Sequence, residues 1–337
     1  MIDDLKKILT GQRILIISSK FFGYQERIAE RLKYHGAFVS LLDGRPDNSF
    51  LTKTIMRYFP FVYRNKINNH YRNLIKNEFD QILIINPEYL SRNIILSLKE
   101  KTMASWLILY MWDSFLNKKK IASAIKYFDK VLTFDSDDAE RLNVFFRPLF
   151  FSSRCQGKKE YHDEIDISFI GTGHSDRVRI IEMIKKQCMD LQLHYYFYLF
   201  LPSRFIFYFH KITNKYFKKI KKTYFHYDHI DYEEYIRISE SSKMIVDIEH
   251  PKQKGLTMRT FEVLGKRRKL ITTNGNIKNY DFYNSSNILI IDRLNPIINI
   301  DFINTDYQPL PKKIYYKYSI DGWLEDIFTP PKIKEEI

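Results

Sequence analysis

Short apolar runs alternate with amphipathic stretches along the first half of the chain. Residues 13–17 have the pattern of a buried strand, residues 25–35 have helical spacing that ends at Gly36, and residues 38–42 have the pattern of a second strand. A strand, a helix and a strand within about 30 residues form a βαβ unit, which implies a parallel sheet. The same patterns predict strands at 81–85, 106–111 and 131–134 and helices at 62–78, 91–101 and 121–128. The first half is therefore predicted to be a doubly wound α/β domain.

A polar stretch without periodicity, residues 152–164, interrupts this pattern and is predicted to link two domains. The pattern then restarts and predicts strands at 165–170, 191–199, 244–248, 270–273 and 288–291 and helices at 177–189, 232–239 and 257–264. A last helix is predicted at 319–328, where Ser319 is a suitable N-cap. We therefore expect domains at 1–152 and 165–305 and a C-terminal extension at 306–337.

Length and composition agree with two ordinary folded domains. The chain has 337 residues, of which 45% are hydrophobic, and about 150 residues per domain is typical. Its cysteines, Cys155 and Cys188, fit a reducing compartment and have no zinc-binding spacing. The start of the sequence lacks the pattern of a secretory signal, and no run of about 18 apolar residues is present. A cytoplasmic protein, or one bound at the periphery of a membrane, is therefore expected.

The chain is basic, with 54 Lys and Arg against 40 Asp and Glu and a formal net charge of +14. The excess is spread over both halves of the sequence. One explanation is codon usage, because Lys, Ile, Asn, Phe and Tyr are abundant while Ala occurs only six times, as in proteins of AT-rich genomes. The other explanation is an anionic partner, which a nucleotide, a nucleic acid or a membrane surface would provide. Composition leaves both open.

Polar residues follow most of the predicted strands. Open α/β sheets bind ligands at the carboxyl ends of their strands, so these residues are the first candidates for a site. In the first half, Asp43 and Asp113 each follow a strand, and either carboxylate has the chemistry of a general base or of a helix cap. In the second half, Gly171-Thr172-Gly173 lies between a strand and a helix. Its amides are suited to hold a phosphate, although a tight turn would have the same sequence.

A more specific pattern lies at residues 255–265, which read Gly-Leu-Thr-Met-Arg-Thr-Phe-Glu-Val-Leu-Gly. Thr257 is suited to cap a helix, and Arg259 and Glu262, three positions apart, project from the same side of it. The amides at such a helix start can hold a diphosphate. A carboxylate one turn further can accept the two hydroxyls of a ribose. The same residues would also make an ordinary salt-bridged amphipathic helix.

This segment resembles the nucleotide-sugar-binding helix of GT-B glycosyltransferases. The similarity is greatest to the CgeB-like group and to enzymes of bacterial lipopolysaccharide and capsule synthesis. A strand at 269–274 and an Asn/Asp-rich turn at 277–283 continue the family pattern, and residues 167–172 with Arg177 resemble the first strand of such a donor domain. The resemblance implies an α/β GT-B fold, in which two doubly wound Rossmann-like domains face a cleft. The first would bind the acceptor and the second the donor, and the C-terminal extension would pack back on the first.

The resemblance also implies roles for single residues. Glu262 matches the carboxylate that binds the donor ribose, and Arg259 would neutralise the diphosphate or support Glu262. Lys254 stands where many retaining enzymes carry a second glutamate, so the stereochemistry is open and Lys254 becomes a candidate phosphate contact. The remaining donor-binding matches are Gly255, Leu256 and Thr257 at the diphosphate and Gly171, Thr172 and Arg177 at the donor phosphate and sugar.

GT-B enzymes commonly stabilise the leaving nucleoside diphosphate with positive charge and amides, so no metal or other cofactor is expected. Asp135-Ser136-Asp137 has the spelling of the metal-binding Asp-x-Asp motif of GT-A enzymes, but it ends a first-half strand and is interpreted as a turn. An inverting enzyme needs a general base in the acceptor domain. Asp113 is the first choice for that base and Asp43 the second.

Residues 195–230 combine aromatic and basic side chains to an unusual degree. Such a combination suits an anionic membrane interface, which would bring the enzyme to a lipid-linked acceptor. The alternatives are an ordinary strand followed by a solvated basic helix, or a nucleic-acid site, although no nucleic-acid-binding motif accompanies the charge. The membrane-facing candidates are Phe205, Phe209, Lys218, Lys219, Lys221 and Lys222.

The sequence therefore predicts a glycosyltransferase that moves a sugar from a nucleotide-sugar donor to a glycan or glycolipid of the cell surface. No nucleic-acid partner is expected. Two other classes fit the same patterns less fully: a nucleotide-binding α/β protein without transfer activity, and a basic nucleic-acid-binding protein.

Overall fold

The computed structural model describes residues 2–45, 65–66, 69–71, 78–87, 90–152, 164–218, 220–251 and 254–330. The chain forms two compact units. The first consists of Met1–Phe150 with Tyr316–Ile337, and the second of Phe151–Tyr315.

The first unit is built on a six-stranded parallel sheet of order β2-β1-β3-β4-β5-β6. Its central strands β1, β3 and β4 are mostly apolar and buried on both faces, as parallel sheets covered by helices require, whereas the edge strands are partly exposed. The connection from β2 to β3 reverses the direction in which the sheet grows, so the topological switch point lies between β1 and β3. The strands are β1 (Arg13–Ser18), β2 (Phe38–Asp43), β3 (Gln81–Ile85), β4 (Trp106–Met111), β5 (Lys130–Thr133) and β6 (Phe145–Phe146).

Helices cover this sheet, and the last of them comes from the C-terminal end of the chain. They are α1 (Ile2–Leu9), α2 (Tyr24–Tyr34), α3 (Arg92–Thr102), α4 (Lys119–Ala122) and α5 (Ser136–Leu142), followed late in the chain by α12 (Ile320–Phe328). Ser319 caps α12, as predicted, by accepting a hydrogen bond from the Gly322 amide. Trp323 of α12 is fully buried, and its ring lies edge-on to the Tyr110 ring of β4 at 4.9 Å between centroids.

The second unit contains another six-stranded parallel sheet, of order β12-β11-β10-β7-β8-β9. If β7 to β12 are counted as strands 1 to 6 and the sheet is read from the β9 edge, the order is 3-2-1-4-5-6, which is the order of dinucleotide-binding folds. Its first and fourth strands, β7 and β10, are therefore neighbours at the switch point, with Ile167 beside Met244. The strands are β7 (Ile165–Thr172), β8 (Tyr195–Phe200), β9 (Phe225–His226), β10 (Ser242–Asp247), β11 (Lys269–Thr272) and β12 (Ile288–Ile290).

The helices of the second unit supply the rest of its core. They are α6 (Arg177–Asp190), α7 (Arg204–Thr213), α8 (Tyr232–Glu240), α9 (Met258–Gly265) and α10 (Ile300–Asn304), and α11 (Lys312–Lys317) lies across the boundary between the units. Val178, Ile181 and Ile184 recur on one face of α6 and pack with Phe169 and Val246 of the sheet.

Several elements differ from the prediction. The helix expected at 121–128 is α4 followed by a 3-10 turn at Ile125–Tyr127, and the strand expected at 191–199 is the shorter β8. The sequence patterns did not indicate α1, α7, α10, α11 or the two-residue strands β6 and β9. The predicted helix 62–78 and the predicted linker 152–164 lie largely outside the described residues.

The boundaries of the units also differ from the predicted ones at the C-terminal end. The predicted extension 306–337 is divided at Tyr315. The Tyr315 hydroxyl donates a hydrogen bond to the Gly265 carbonyl of α9, which holds the first part of this segment on the second unit. From Tyr316 onward the chain belongs to the first unit, where α12 contacts α1 and α2.

Candidate functional site

The carboxyl edge of the second sheet brings most of the predicted donor-binding residues to one place. At the switch point, the connections from β7 and β10 leave toward opposite sides of the sheet and open a crevice between their ends. Gly171, Thr172 and Arg177 follow or end β7, and the segment 254–262 follows β10. Residues far apart in sequence therefore share one edge, where an α/β sheet binds ligands.

Two arginines converge at this edge. The Arg177 guanidinium donates to the main-chain carbonyls of Ile248 (2.6 Å) and Thr172 (3.3 Å), and the Arg259 guanidinium donates to the carbonyl of Ile170. Burial, together with the nearby charge of Arg259, lowers the pKa of Arg177 to about 10. Arg177 therefore stays cationic at neutral pH, and the edge carries two guanidinium groups anchored by main-chain carbonyls.

Gly171 makes room for this arrangement. A Cβ at Gly171 would lie 2.9 Å from the Phe169 ring and 3.5 Å from Nη1 of Arg259. The Arg259 guanidinium also lies over the Phe169 ring, 5.3 Å from its centroid. A side chain at position 171 would therefore displace the ring or the cation.

Asp247, at the end of β10, organises the start of α9. Its Oδ2 accepts hydrogen bonds from the hydroxyls of Thr257 (2.6 Å) and Thr260 (2.8 Å), and its Oδ1 lies 3.8 Å from Nη1 of Arg259. Thr257 is the N-cap of α9, as predicted, and accepts from the Thr260 amide. This buried carboxylate fixes the helix start relative to the strand, with the first amides of α9 at the carboxyl edge.

Glu262 lies one turn into α9 and is half-buried. Its Oε2 accepts a hydrogen bond of 2.5 Å from the Tyr235 hydroxyl of α8. Burial and the charge of Glu262 raise the pKa of Tyr235 above its ordinary value, so the phenol remains a donor. The Lys266 ammonium lies 5.1 Å from the centroid of the Tyr235 ring. No sequence pattern indicated Tyr235, whose hydroxyl fixes the orientation of the Glu262 carboxylate.

A second buried network lies beside the first, and its central residue, Arg293, was not predicted. Arg293, just after β12, donates to Glu249 at 2.5 Å and to both carboxylate oxygens of Asp176 at 2.9 and 3.1 Å. The Thr273 hydroxyl donates to the other Glu249 oxygen. Burial raises the pKa of Glu249. Because two carboxylates accept hydrogen bonds from Arg293, its charge is compensated more closely than that of Arg259, which lies 3.8 Å from Asp247, or that of Arg177, which donates to main-chain carbonyls.

The remaining predicted donor residues hold different positions. Leu256 is buried in the core, so only its main chain is available to a ligand. Gly255 is buried as well, whereas the Lys254 side chain is exposed. The Lys254 carbonyl accepts from the side-chain amides of Asn274 (3.1 Å) and Asn276 (3.2 Å), which ties this loop to the end of β11.

The carboxyl edge of the first sheet holds the two candidate bases. Asp113 follows β4 and is half-buried, and its Oδ1 accepts from the Ser114 amide (2.9 Å) and the Asn117 side-chain amide (3.0 Å). Its Oδ2 has no hydrogen-bond partner among the residues that the structure describes. Asp43 ends β2 and accepts from the Arg45 amide at 2.9 Å. Both carboxylates thus cap turns, and Asp113 keeps one oxygen open.

Aromatic rings accompany Asp113 at this edge. Phe21, in the loop after β1, packs against Trp112 with 5.4 Å between centroids, and it also contacts Phe22 and Tyr24. Phe22 is 79% exposed and has a positive φ of 47°, a strained conformation for an aromatic residue. The Asp135-Ser136-Asp137 sequence, predicted to be a turn, is instead the start of a helix. Asp135 caps α5 by accepting from the Asp137 and Asp138 amides, and Ser136 and Asp137 are the first residues of that helix.

The aromatic and basic tract contains β8, α7 and short 3-10 turns. Phe205 and Phe209 of α7 are exposed, and so are Lys218, Lys221 and Lys222 after it. The predicted candidate Lys219 lies outside the described residues. Within the described ranges, no helix is both long and apolar enough to cross a membrane, and no group of three or more His, Cys, Asp or Glu side chains is arranged to hold a metal ion.

Comparison with solved structures finds this fold in glycosyltransferases. A glycosyltransferase from Rickettsia africae is similar over 94% of this chain and 96% of its own, with 13% identity and a TM-score of 0.57. The catalytic domain of starch synthase IV from Arabidopsis thaliana, bound to ADP and acarbose, is similar over 96% of each chain, with 8% identity and a TM-score of 0.51. No protein-family model and no curated protein sequence matches the chain. The predicted α/β fold class is confirmed: the chain has two Rossmann-like units of the GT-B type.

Proposed function

We propose that this protein is a glycosyltransferase that transfers a sugar from a nucleotide-sugar donor to a cell-surface glycan, and that it belongs with the CgeB-like and lipopolysaccharide or capsule enzymes. One observation carries the proposal. Arg177, Arg259 and Glu262, which match the donor motif of GT-B enzymes, lie at the carboxyl edge formed by β7 and β10. A nucleoside diphosphate needs cations for its phosphates and a carboxylate for its ribose, and this edge offers both.

The donor would be held by groups whose positions the protein fixes in advance. The diphosphate takes the charges of Arg177 and Arg259 and the first amides of α9, with Gly255 and Thr257 forming the loop beneath it. Thr172 and Gly171 border the phosphate and the sugar. The ribose hydroxyls donate to Glu262, whose second oxygen is engaged by Tyr235. Lys254, whose side chain is exposed, is proposed as a further phosphate contact.

The transfer step is proposed to need no bound metal or other cofactor. As the bond from the sugar to the diphosphate breaks, negative charge grows on the leaving phosphate. Arg177 and Arg259 are already cationic and anchored, so they can stabilise that charge without rearrangement. Arg293 is less suited to this role because Asp176 and Glu249 already balance it.

The acceptor hydroxyl needs a base, which the first unit would supply if the reaction inverts the anomeric centre. Asp113 is the stronger candidate because its Oδ2 is open while its Oδ1 is held by Ser114 and Asn117. Asp43 is the second candidate. The acceptor is proposed to be a glycan or glycolipid of the lipopolysaccharide or capsule type, and the enzyme to act in the cytoplasm at the inner face of the cytoplasmic membrane. No nucleic-acid partner is proposed.

A thermal-shift screen tests the donor site directly. UDP, GDP, ADP, CMP and dTDP are added separately, each with magnesium and with EDTA, to the wild-type protein and to Glu262→Ala. A ligand at about 100 times its Kd stabilises the folded state by about 2.7 kcal/mol. One nucleoside diphosphate is expected to raise the Tm by a few degrees equally with magnesium and EDTA, and the rise is expected to vanish in Glu262→Ala.

The matched control is Glu233→Ala, which removes an exposed carboxylate from the neighbouring helix α8. It should keep the nucleotide response. No shift with any nucleotide at millimolar concentration, or an equal shift in Glu262→Ala, would overturn the donor site. Nucleotide binding without turnover of any nucleotide-sugar would favour a binding protein over a transferase.

A further inference from the structure

Helix α7 of the second unit presents an apolar face to solvent. Phe205, Tyr208, Phe209 and Ile212 are 75%, 55%, 52% and 82% exposed. Their spacing of three, four and seven positions puts them on one side of the helix. Single exposed apolar residues are ordinary on protein surfaces, but a contiguous stripe of them marks an interaction site.

The stripe is not the result of a loosely packed helix. On the opposite side of α7, Phe207 is fully buried and its ring lies 5.6 Å from the Phe225 ring and 6.4 Å from the Phe217 ring, between centroids. Ser203 caps the helix by accepting from the Ile206 amide. The helix is therefore seated on the core by one face and holds the other outward in a fixed orientation.

Positive charge borders the stripe. Arg204 and Lys211, seven positions apart, lie along one flank of α7. Beyond the helix, the exposed lysines are Lys215, Lys218, Lys221 and Lys222. The sequence contains no Asp or Glu between Asp190 and Asp228. An apolar stripe next to basic residues without a neighbouring acid is complementary to a surface that is apolar inside and anionic outside.

We propose that α7 and the lysines that follow it dock this protein onto an anionic phospholipid bilayer. Phe205, Phe209 and Ile212 would enter the boundary between headgroups and acyl chains, with Tyr208 at headgroup level. The lysines would contact the lipid phosphates. This surface lies outside the nucleotide site, so the inference extends the proposed membrane location without depending on donor binding.

Two other occupants fit the same surface less well. A second copy of the chain would bring lysines against lysines, because the tract offers no carboxylate to meet them. A nucleic acid would use the charge and the rings, but Ile212, the most exposed of the four stripe residues, is aliphatic and supplies no stacking surface. An anionic bilayer uses both the charge and the apolar face.

The test is co-sedimentation with vesicles of phosphatidylcholine alone and of phosphatidylcholine with 30 mol% phosphatidylglycerol. The double variant Phe205→Ser/Ile212→Ser removes apolar surface from highly exposed positions, so the fold should persist. Its control is Leu294→Ser, an exposed leucine elsewhere in the second unit. The variant Lys221→Gln/Lys222→Gln removes two charges, and its control is the exposed Lys186→Gln on α6.

The wild-type protein is expected to bind the anionic vesicles at least tenfold more tightly than neutral ones. The serine variant should weaken that binding at least tenfold at low and high salt. The glutamine variant should weaken it about 25-fold at low salt, since each of the two basic residues near the surface contributes about fivefold, and much less at high salt. Both controls should bind as the wild type does, and all variants should keep the nucleotide response.

Three outcomes would overturn the proposal. The first is equal binding to neutral and anionic vesicles, or none to either. The second is binding to an oligonucleotide that the glutamine variant weakens and the serine variant does not, which would assign the charge to nucleic acid. The third is a dimer in sedimentation that the serine variant dissociates, which would assign the stripe to a second copy.

Discussion

The two units share an architecture and differ at the edge that binds ligands. Both are six-stranded parallel sheets with a switch point near the middle. The edge of the second unit carries Arg177 and Arg259, anchored by main-chain carbonyls, whereas the edge of the first carries Asp113 and Asp43 among exposed aromatic rings. A cationic edge suits an anionic nucleotide, and carboxylates beside rings suit a neutral polyol that must lose a proton. The fold alone therefore does not set the ligand; the residues at the strand ends do.

The largest effect should come from removing the proposed base. Asp113→Asn keeps the shape and the hydrogen bonds from Ser114 and Asn117, but it cannot accept the acceptor proton. Sugar transfer is expected to fall about 10³-fold, while the nucleotide-induced rise in Tm stays unchanged. The measurement is transfer of labelled sugar from the nucleotide-sugar that the binding screen identifies into a glycolipid extract.

Asp43→Asn is the matched control for that experiment, and its transfer rate should stay within threefold of the wild type. A large loss in Asp43→Asn with little loss in Asp113→Asn would reverse the assignment. A loss of nucleotide binding in either variant would contradict the division of roles between the two edges.

Removing a cation from the other edge should weaken donor binding. Arg259→Met is expected to raise the nucleotide Kd about 100-fold, because the diphosphate loses a charge-assisted contact that is desolvated. Arg259→Lys should recover part of the affinity, since an ammonium supplies the charge without the two-pronged geometry. Isothermal titration with the identified nucleotide gives both values.

The comparison is sharpened by Arg141→Met, which removes a cation from α5 at the edge of the first unit, where Arg141 pairs with Asp138. Its nucleotide Kd should change less than twofold. If Arg141→Met weakened nucleotide binding as much as Arg259→Met does, then general surface charge rather than the second edge would hold the anion.

Sequence patterns predicted the interior of the fold better than its surface. The central strands were recognisable because strands buried on both faces are continuous apolar runs. Helix α7 was missed because Phe205, Phe209 and Ile212 turn outward, so its apolar residues did not mark a core face. The two-residue strands β6 and β9 are too short to have a pattern of their own.

In the candidate site, too, residues within a local sequence pattern were predicted and residues brought in by long-range contacts were not. Arg177, Arg259 and Glu262 were predicted as candidates because they lie in local patterns that resemble the donor-binding motif of GT-B enzymes. Tyr235 could not be found that way, because it reaches Glu262 from 27 residues away on a different helix. Arg293 contacts Asp176 across 117 residues, yet it follows a strand, and testing every strand end for charged residues would have identified it.

The units also differ in how they hold a late helix against the sheet. In each, a buried lysine at the start of a strand donates to helix C-terminal carbonyls: Lys130 to Asp326, Ile327 and Thr329 after α12, and Lys269 to Phe302, Ile303 and Thr305 after α10. Among the described residues, α12 has ion pairs and α10 has none. Both Asp321 oxygens accept from the Arg31 guanidinium at 2.5 Å, and the exposed Asp326 lies 2.8 Å from Nε of Arg147. The His35 ring contacts the Asp321 carboxylate at 2.9 Å.

The ion pair of Asp321 with Arg31 predicts a pH-dependent stability that belongs to the first unit. Burial by itself raises the pKa of Asp321, but the hydrogen bonds from Arg31 and His35 outweigh it and hold the pKa below its ordinary value. A carboxyl whose pKa is lower in the folded state contributes stability above its unfolded pKa, near 4, and loses it as the pH falls through the folded value. Asp321→Asn should therefore lower the free energy of unfolding by about 2 kcal/mol at pH 7.

The measurement is the urea unfolding midpoint of the wild type and of Asp321→Asn from pH 7 to pH 3. The difference between them should be constant above about pH 5 and shrink below pH 4. Asp190→Asn, at the exposed end of α6, should unfold like the wild type at every pH. A difference that persists unchanged at pH 3 would mean that Asp321 stabilises α12 by packing rather than by its charge, and the distinction between the two late helices would then disappear.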